Sequence, residues 1–157
     1  MIHTVLCADA DAAVRRAHTD LLQAAGFEVI EAVEGSDALK LTFEKRPAVV
    51  VAAVGLPCVD GFEIARRLKA DPRTALIPVL HTSSRSCDYA ESLRSGAEAY
   101  LQSPVEGPLL VAVVTALIDR VPDAAVAQRF SALVGSIPDE VASHTTARSS
   151  CGVKGSA

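Results

Sequence analysis

The stretch "VVVAAVGLPCVDG", from Val49 to Gly61, is an unbroken run of β-branched and small apolar residues that leads into a turn containing Gly and Pro. Such a strand, without polar alternation, is typical of a parallel sheet covered by helices on both faces. Open α/β sheets carry their functional groups in the turns that follow the carboxyl ends of the strands. A charged side chain is therefore expected at the end of this run, but the residue there is Ala53.

On both sides of this stretch, short apolar segments of strand type alternate with segments of helical spacing. The predicted strands are His3–Ala8, Phe27–Val33, Ala48–Val54, Leu76–Thr82 and Ala97–Ser103. The predicted helices are Asp11–Gly26, Asp37–Arg46, Gly61–Asp71, Ser86–Gly96 and Gly107–Arg120. We expect Asp11 and Ser36 to be the N-caps of the first two helices and Gly26 to end the first. Five consecutive β-α units predict an α/β fold with a parallel sheet and right-handed crossovers.

The composition fits one soluble domain and excludes several classes of function. Of the 157 residues, 50% are hydrophobic and 22% are charged, and the net charge is -4 with no Trp. This acidic balance gives no reason to expect direct nucleic-acid binding. The longest apolar run, Leu109–Ile118, is about half a membrane span, and no signal peptide is recognised, so we expect a cytoplasmic protein that does not bind membranes. The four cysteines form no CxxC pair, which argues against a zinc site or a disulfide framework.

The sequence divides into three parts. Residues 1–121 contain the β-α units, and residues 122–142 are predicted to form a short C-terminal helical extension around Phe130. Residues 143–157 are small, polar and aperiodic, and we expect them to be disordered. The part after Val121 is too short and too weakly basic to be a DNA-binding domain.

Several phrases together resemble the receiver domain of bacterial two-component response regulators, over Ile2 to Val121. They are "AVRRAHTDLLQAAGFEVIEA", "GLP" and "DG" in the third turn, "LKADPRTALIPVL" and "GAEAYLQSP". The resemblance implies a flavodoxin-like (βα)5 fold, a doubly wound parallel sheet with strand order 2-1-3-4-5. It also implies phosphoryl transfer from a histidine kinase to an aspartate at the end of the third strand. That chemistry needs Mg²⁺ held by carboxylates and a cation that neutralises charge on the phosphoryl group.

Placed on this sequence, the resemblance assigns the phosphorylation pocket to residues that lack most of the required groups. The acidic pair after the first strand falls on Asp9 and Ala10, and the phosphate acceptor falls on Ala53. The lysine falls on Ser103, before Pro104, which the resemblance implies to be a cis-proline. We therefore predict a degenerate pocket with no catalytic residue and no cofactor, at which Asp9 is only a weak candidate metal ligand and tight Mg²⁺ binding is not expected.

The two switch positions of the family fall on Ser83 and Tyr100. In working receivers the resemblance implies that the hydroxyl turns towards the phosphate and that the aromatic ring moves inward behind it. With nothing to bind in the pocket, Ser83 has no obvious reason to turn. The simpler interpretation is that Ser83 ends a strand and that Tyr100 is half-packed at the surface.

The fifth predicted helix indicates a contact surface. Nine of the ten residues in Leu109–Ile118 are apolar, which is more than one sheet-facing stripe requires. The resemblance implies a partner face made by the fourth helix, the fifth strand and the fifth helix, and we assign to it Leu109, Leu110, Val113, Val114 and Leu117. The covering element could be a protein partner, a second copy, or the helical extension around Phe130.

The sequence therefore predicts a signalling adaptor that works without phosphorylation through protein contacts, not an enzyme, with no small-molecule substrate. Three alternatives stay open. Asp9 could be a displaced phosphate acceptor, the vacated pocket could bind a small ligand, or Cys58 and Cys87 could respond to oxidation. His81 is expected to be a strand histidine with one satisfied ring nitrogen rather than a metal ligand or a base.

Overall fold

The computed structural model describes residues 2–119, which form a five-stranded parallel sheet with helices on both faces. The strand order is β2-β1-β3-β4-β5, so the predicted flavodoxin-like fold is confirmed. The strands are β1 (Thr4–Ala8), β2 (Glu28–Ala32), β3 (Val49–Ala53), β4 (Val79–Ser83) and β5 (Ala99–Gln102). The helices are α1 (Ala12–Ala24), α2 (Gly35–Lys45), α3 (Gly61–Ala70), α4 (Asp88–Arg94) and α5 (Gly107–Asp119).

The central strand β3 explains why the sheet has two cores. Val50 and Ala52 point to one face, where they pack with residues of α2 and α3. Val49 and Val51 point to the other face, where they pack with residues of α1 and α5. All four are 1% exposed or less. Alternate side chains of this apolar run therefore pack against the helices on the two faces of the sheet.

The first helix begins and ends where the sequence predicts. The Asp11 carboxylate accepts hydrogen bonds from the amides of Ala13 and Val14, at 2.9 and 3.2 Å. Gly26 follows the helix with a φ of 99°, a left-handed conformation that glycine adopts without strain.

The predicted N-cap of the second helix is wrong. The helix begins two residues earlier than predicted, at Gly35, and Ser36 is its second residue. The hydroxyl of Ser36 donates to the Glu34 carboxylate at 2.9 Å instead of capping a backbone amide. The start is set by close packing, because a Cβ on Gly35 would lie 1.7 Å from the Val59 carbonyl oxygen.

The predicted partner face on α5 needs a correction. Leu110, Val113 and Val114 are fully buried against the sheet, and Leu117 is 7% exposed. Of the five residues assigned to that face, Leu109 alone is half-buried. When a helix is apolar nearly all round, its sequence does not show which side faces the sheet. The residues that we assigned to the partner face lie mostly on the side that packs against the sheet.

No helix within residues 2–119 is long and apolar enough to cross a membrane. The predicted extension at residues 122–142 and the predicted disordered tail at 143–157 lie outside the described residues.

Candidate functional site

The loop after β1 contributes one carboxylate to the carboxyl edge of the sheet. The Asp9 amide donates to the Ala32 carbonyl at 3.1 Å, which continues the pairing of β1 with β2. The Asp9 carboxylate accepts a hydrogen bond from the Asp11 amide at 2.9 Å. The carboxylate of Asp11 is bound to the first turn of α1, and Ala10 between them is exposed. Asp9 is therefore the acid that this loop presents near the predicted pocket.

The end of β3 carries only a methyl group. Ala53 pairs with Thr82 of β4, and the next amide, that of Val54, donates to the Thr82 carbonyl at 2.9 Å. The chain then returns over the strand end, where the Gly61 amide donates to the Val54 carbonyl at 2.9 Å. A Cβ on Gly61 would lie 2.8 Å from the Ala53 carbonyl oxygen. This close turn lies directly over Ala53, the residue on which the resemblance implies that the acceptor falls.

The loop after β5 brings a third predicted residue to the same edge. The Ser103 amide donates to the Ser83 carbonyl at 2.7 Å, so the ends of β4 and β5 are joined. The peptide bond between Ser103 and Pro104 is cis, which the resemblance implied. The residue before the proline is thus a neutral serine beside the end of β4.

The edge offers few ligands to a metal ion. Mg²⁺ is bound through several oxygen ligands, usually including more than one carboxylate or phosphate group. Among residues 2–119, no group of three or more His, Cys, Asp or Glu side chains converges in a way that could hold a metal ion. Asp60, the acid at the start of α3, accepts from the Glu63 amide at 2.8 Å as the helix N-cap. The donors that are present do not fit the family's magnesium site.

The polar groups between β4 and α4 are connected to one another. Ser83 donates its hydroxyl hydrogen to the Asp88 carboxylate at 2.7 Å, and the Arg85 amide donates to the Ser83 oxygen at 3.1 Å. The hydroxyl of Tyr100 donates to the Arg85 carbonyl. Tyr100 is 4% exposed, contrary to the half-packed position expected, and it meets the ring of Tyr89 edge-on at 5.5 Å. Burial raises the pKa of Tyr100 to about 12, so its hydroxyl stays protonated and can donate.

Asp88 is the participant that sequence reasoning missed. It is the first residue of α4, and its side chain is 15% exposed. The available signal was an acid five residues after Ser83, but the contact depends on how the intervening loop folds.

His81 lies beneath this network and is bonded through both ring nitrogens, one more than expected. Nε2 lies 2.6 Å from the Gly61 carbonyl oxygen, and Nδ1 lies 2.6 Å from the Ser92 hydroxyl oxygen. Because a carbonyl can only accept, Nε2 carries the hydrogen and Nδ1 accepts from Ser92. Burial lowers the pKa of His81 to about 4. A neutral histidine thus joins β4 to α3 and α4.

Cys58 and Cys7 are not in environments that favour the thiolate. Cys58 is exposed, and its Sγ lies 3.4 Å from the Glu34 carboxylate, which raises the pKa of the thiol. Burial raises the pKa of Cys7 to about 12. Cys87 is half-buried, and its Sγ accepts from Arg85 at 3.4 Å.

Comparison with known proteins defines the class to which this fold and edge belong. The family model for the response regulator receiver domain matches residues 5–115. The transcriptional regulatory protein AfsQ1 of Streptomyces coelicolor is 37% identical over 119 residues, which are 74% of this chain and 52% of AfsQ1. Protein PilH of Pseudomonas aeruginosa is 31% identical, over 64% of this chain and 84% of PilH. The crystal structure of the chemotaxis response regulator CheY4 of Vibrio cholerae matches with a TM-score of 0.70 and 24% identity, over 74% of this chain and 99% of CheY4, which supports the fold.

The chain therefore belongs to the response regulator receiver domain family, and it is a receiver domain of a two-component signalling protein. It spans about half the length of several of the curated relatives that it matches, including AfsQ1.

Proposed function

We propose that this receiver acts in signalling without being phosphorylated, as an adaptor that binds a protein partner or a second copy of itself, and that it is not an enzyme. The observation that carries the proposal is the methyl side chain of Ala53 at the end of β3, in the turn closed by Gly61. Phosphoryl transfer needs a nucleophilic oxygen at that point, and alanine has none.

Three further features of the pocket support the proposal. Asp9 is a single carboxylate beside Ala10, which is too few ligands for tight Mg²⁺ binding. Ser103 supplies no positive charge to a phosphoryl group. Ser83 donates to Asp88 rather than towards Ala53. Because the nucleophile, the second carboxylate and the cation are missing together, we expect no phosphorylation, no cofactor and no small-molecule substrate.

The alternatives have weaker support. A displaced acceptor at Asp9 would have to act without a second carboxylate or a cation, while its own carboxylate accepts from the Asp11 amide. A redox response at Cys58 would need a thiolate, which the neighbouring Glu34 disfavours by raising the pKa of the thiol.

Because most of the α5 residues first assigned to the contact surface are buried, we propose a surface made of other residues of α4, β5 and α5. Leu93 of α4 is 44% exposed. On α5, Ala112 and Thr115 are exposed and Leu109 is half-buried. We propose that this surface, called the α4-β5-α5 face, makes the protein contacts.

The first test is intact-protein mass spectrometry after incubation with Mg²⁺ and a small-molecule phosphodonor, with a conventional receiver as the positive control. We expect no mass increase for the wild-type chain or for Ala53→Asp alone. The triple variant Ala10→Asp, Ala53→Asp, Ser103→Lys restores the missing groups, and we expect it to gain one phosphoryl group. A hydroxylamine-labile adduct on the wild-type chain would contradict the proposal and point to Asp9 or a neighbour as the acceptor.

A further inference from the structure

The hydroxyl hydrogen of Ser83 is donated within the chain. A serine hydroxyl has one hydrogen to donate, and in this structure it is donated to Asp88 at 2.7 Å. The oxygen of Ser83 also accepts from the Arg85 amide at 3.1 Å. Ser83 can therefore donate to a group at the Ala53 end only if its hydrogen bond to Asp88 breaks.

The backbone of Arg85 connects this contact to Tyr100. Its amide donates to Ser83, and its carbonyl accepts both the Tyr100 hydroxyl and the Asp88 amide, the latter at 3.2 Å. The bonds form a closed ring through Ser83, Arg85 and Asp88, and Tyr100 is attached to it from β5. Because each member constrains the next, the position of the Tyr100 ring depends on the loop that Asp88 holds.

We infer that Asp88 is a positioning residue, an internal latch that holds Ser83 and, through the loop, keeps the Tyr100 ring buried without any ligand at Ala53. The latch keeps α4 and β5 in one relative arrangement, so the α4-β5-α5 face is ready for contact at all times. The inference rests on the proposed function, since a latch on Ser83 has this consequence where no phosphoryl group competes for the hydroxyl.

A purely local role of Asp88 would leave the Tyr100 ring buried, although, besides burial, the nearby Asp88 charge contributes to the raised pKa of Tyr100. As the first residue of α4, its charge also interacts favourably with the helix dipole, and its Oδ1 lies 4.0 Å from the Arg85 Nε. Both effects stabilise the start of α4 without involving the tyrosine ring. The exposure of the Tyr100 ring to solvent therefore separates the latch from a local stabilising role.

The chain contains two tyrosines, which makes fluorine NMR of protein labelled with 3-fluorotyrosine a direct readout. Tyr89→Phe assigns the resonance of Tyr100. In Asp88→Ala we expect that resonance to move towards the position of a solvent-exposed tyrosine and to become more sensitive to a soluble paramagnetic agent. Ser83→Ala should give the same change, and the double variant Ser83→Ala, Asp88→Ala should add nothing to it.

The matched control is Glu91→Ala, which removes another carboxylate from α4. Glu91 pairs with Arg66 and Arg94, and we expect the Tyr100 resonance to stay in place. If the sensitivity of Tyr100 to the paramagnetic agent is unchanged in Asp88→Ala, or increases equally in Glu91→Ala, the latch is overturned. If Asp88→Ala does not fold, Asp88→Asn keeps the shape and should give a smaller change in the same direction, and no change there would also overturn it.

These measurements use no Mg²⁺, phosphodonor or partner, so the two proposals can fail separately. A phosphoryl adduct on the wild-type chain would overturn the proposed function whatever the tyrosine resonance does. A Tyr100 ring whose exposure does not depend on Asp88 would overturn the latch. The proposal that Ala53 cannot be phosphorylated would still stand.

Discussion

Two regions of the carboxyl edge of the sheet differ sharply in how their polar groups are used. The first, the β1-β3 edge, consists of Asp9, Ala10 and Ala53 and contains one carboxylate and two methyl groups. The second, the β4-α4 corner, consists of Ser83, Arg85, Asp88 and Tyr100, which are joined in one hydrogen-bonded network.

The difference indicates that the fold does not depend on the pocket chemistry. At the β1-β3 edge the strands are held by their buried side chains and ladder bonds, as Val51 and Ala52 show by their lack of exposure. At the β4-α4 corner the loop and the short helix α4 are held by polar contacts. Loss of polar groups is therefore tolerated at the first region and should be costly at the second.

The largest effect we expect is a pH dependence of the free energy of unfolding. It is caused by His81, which lies beneath the β4-α4 corner. Its pKa is about 6.5 when unfolded and about 4 when folded, so between these values the unfolded chain binds the extra proton. Stability should therefore be intact above pH 6.5 and decrease by about 3 kcal/mol as the pH falls to 4. Urea unfolding across this range measures it. A decrease of equal size in His81→Leu would show that other groups cause it.

Replacement of His81 at neutral pH tests the same connection without a change of charge. His81→Leu removes the bonds to Ser92 and Gly61 in a buried place, and we expect a loss of about 2 kcal/mol in the free energy of unfolding. Ala53→Ser, a polar change at the β1-β3 edge, should cost less than about 0.5 kcal/mol. Similar losses for the two variants would remove the distinction between the regions.

Two serines at the ends of neighbouring strands provide a further test of the difference between the two regions. Ser83→Ala removes one donor and one acceptor from the corner, and we expect a loss of about 1.5 kcal/mol in the free energy of unfolding. Within residues 2–119 the Ser103 hydroxyl makes no hydrogen bond, so Ser103→Ala should be nearly neutral. Urea titrations of the two variants measure both values. An equal loss for Ser103→Ala would contradict the account.

The smallest effect concerns the surface that the corner supports. Leu93→Arg places a charge on the α4-β5-α5 face, and we expect it to weaken self-association or partner binding about fivefold, roughly 1 kcal/mol. Leu76, 74% exposed between α3 and β4, is the matched control, and Leu76→Arg should change nothing. Sedimentation analysis measures self-association, and equal weakening by both variants would exclude this face.

Much of the fold could be predicted because its signals are local. The apolar run ending at Ala53 identifies a strand covered on both faces. Asp11 marks the start of α1 through its capping carboxylate, and Gly26 marks the end through its backbone conformation. The start of α2 could not be predicted, because it depends on the approach of Val59 to Gly35 across the fold.

The places of some candidate site residues in the fold could be predicted for the same reason. Ala53 is the last residue of β3 and Ser103 directly follows β5, so their positions in the chain fix their place on the edge. The partner of Ser83 depends on the conformation of a loop, so Asp88 could not be identified from the sequence. The side of α5 that faces the sheet was not predicted, because apolar residues lie all around the helix. Only packing distinguishes the buried Val113 from the exposed Ala112.

The most direct test of the central claim is the amide NMR spectrum of the chain before and after addition of Mg²⁺ and a phosphodonor. We predict no change at Asp9, Ala53, Ser83 or Tyr100, because the β1-β3 edge lacks the groups for either ligand. A change centred on Asp9 that spreads to Ser83 and Tyr100 would contradict the account. It would mean that the receiver still binds its metal and transmits phosphorylation to the corner.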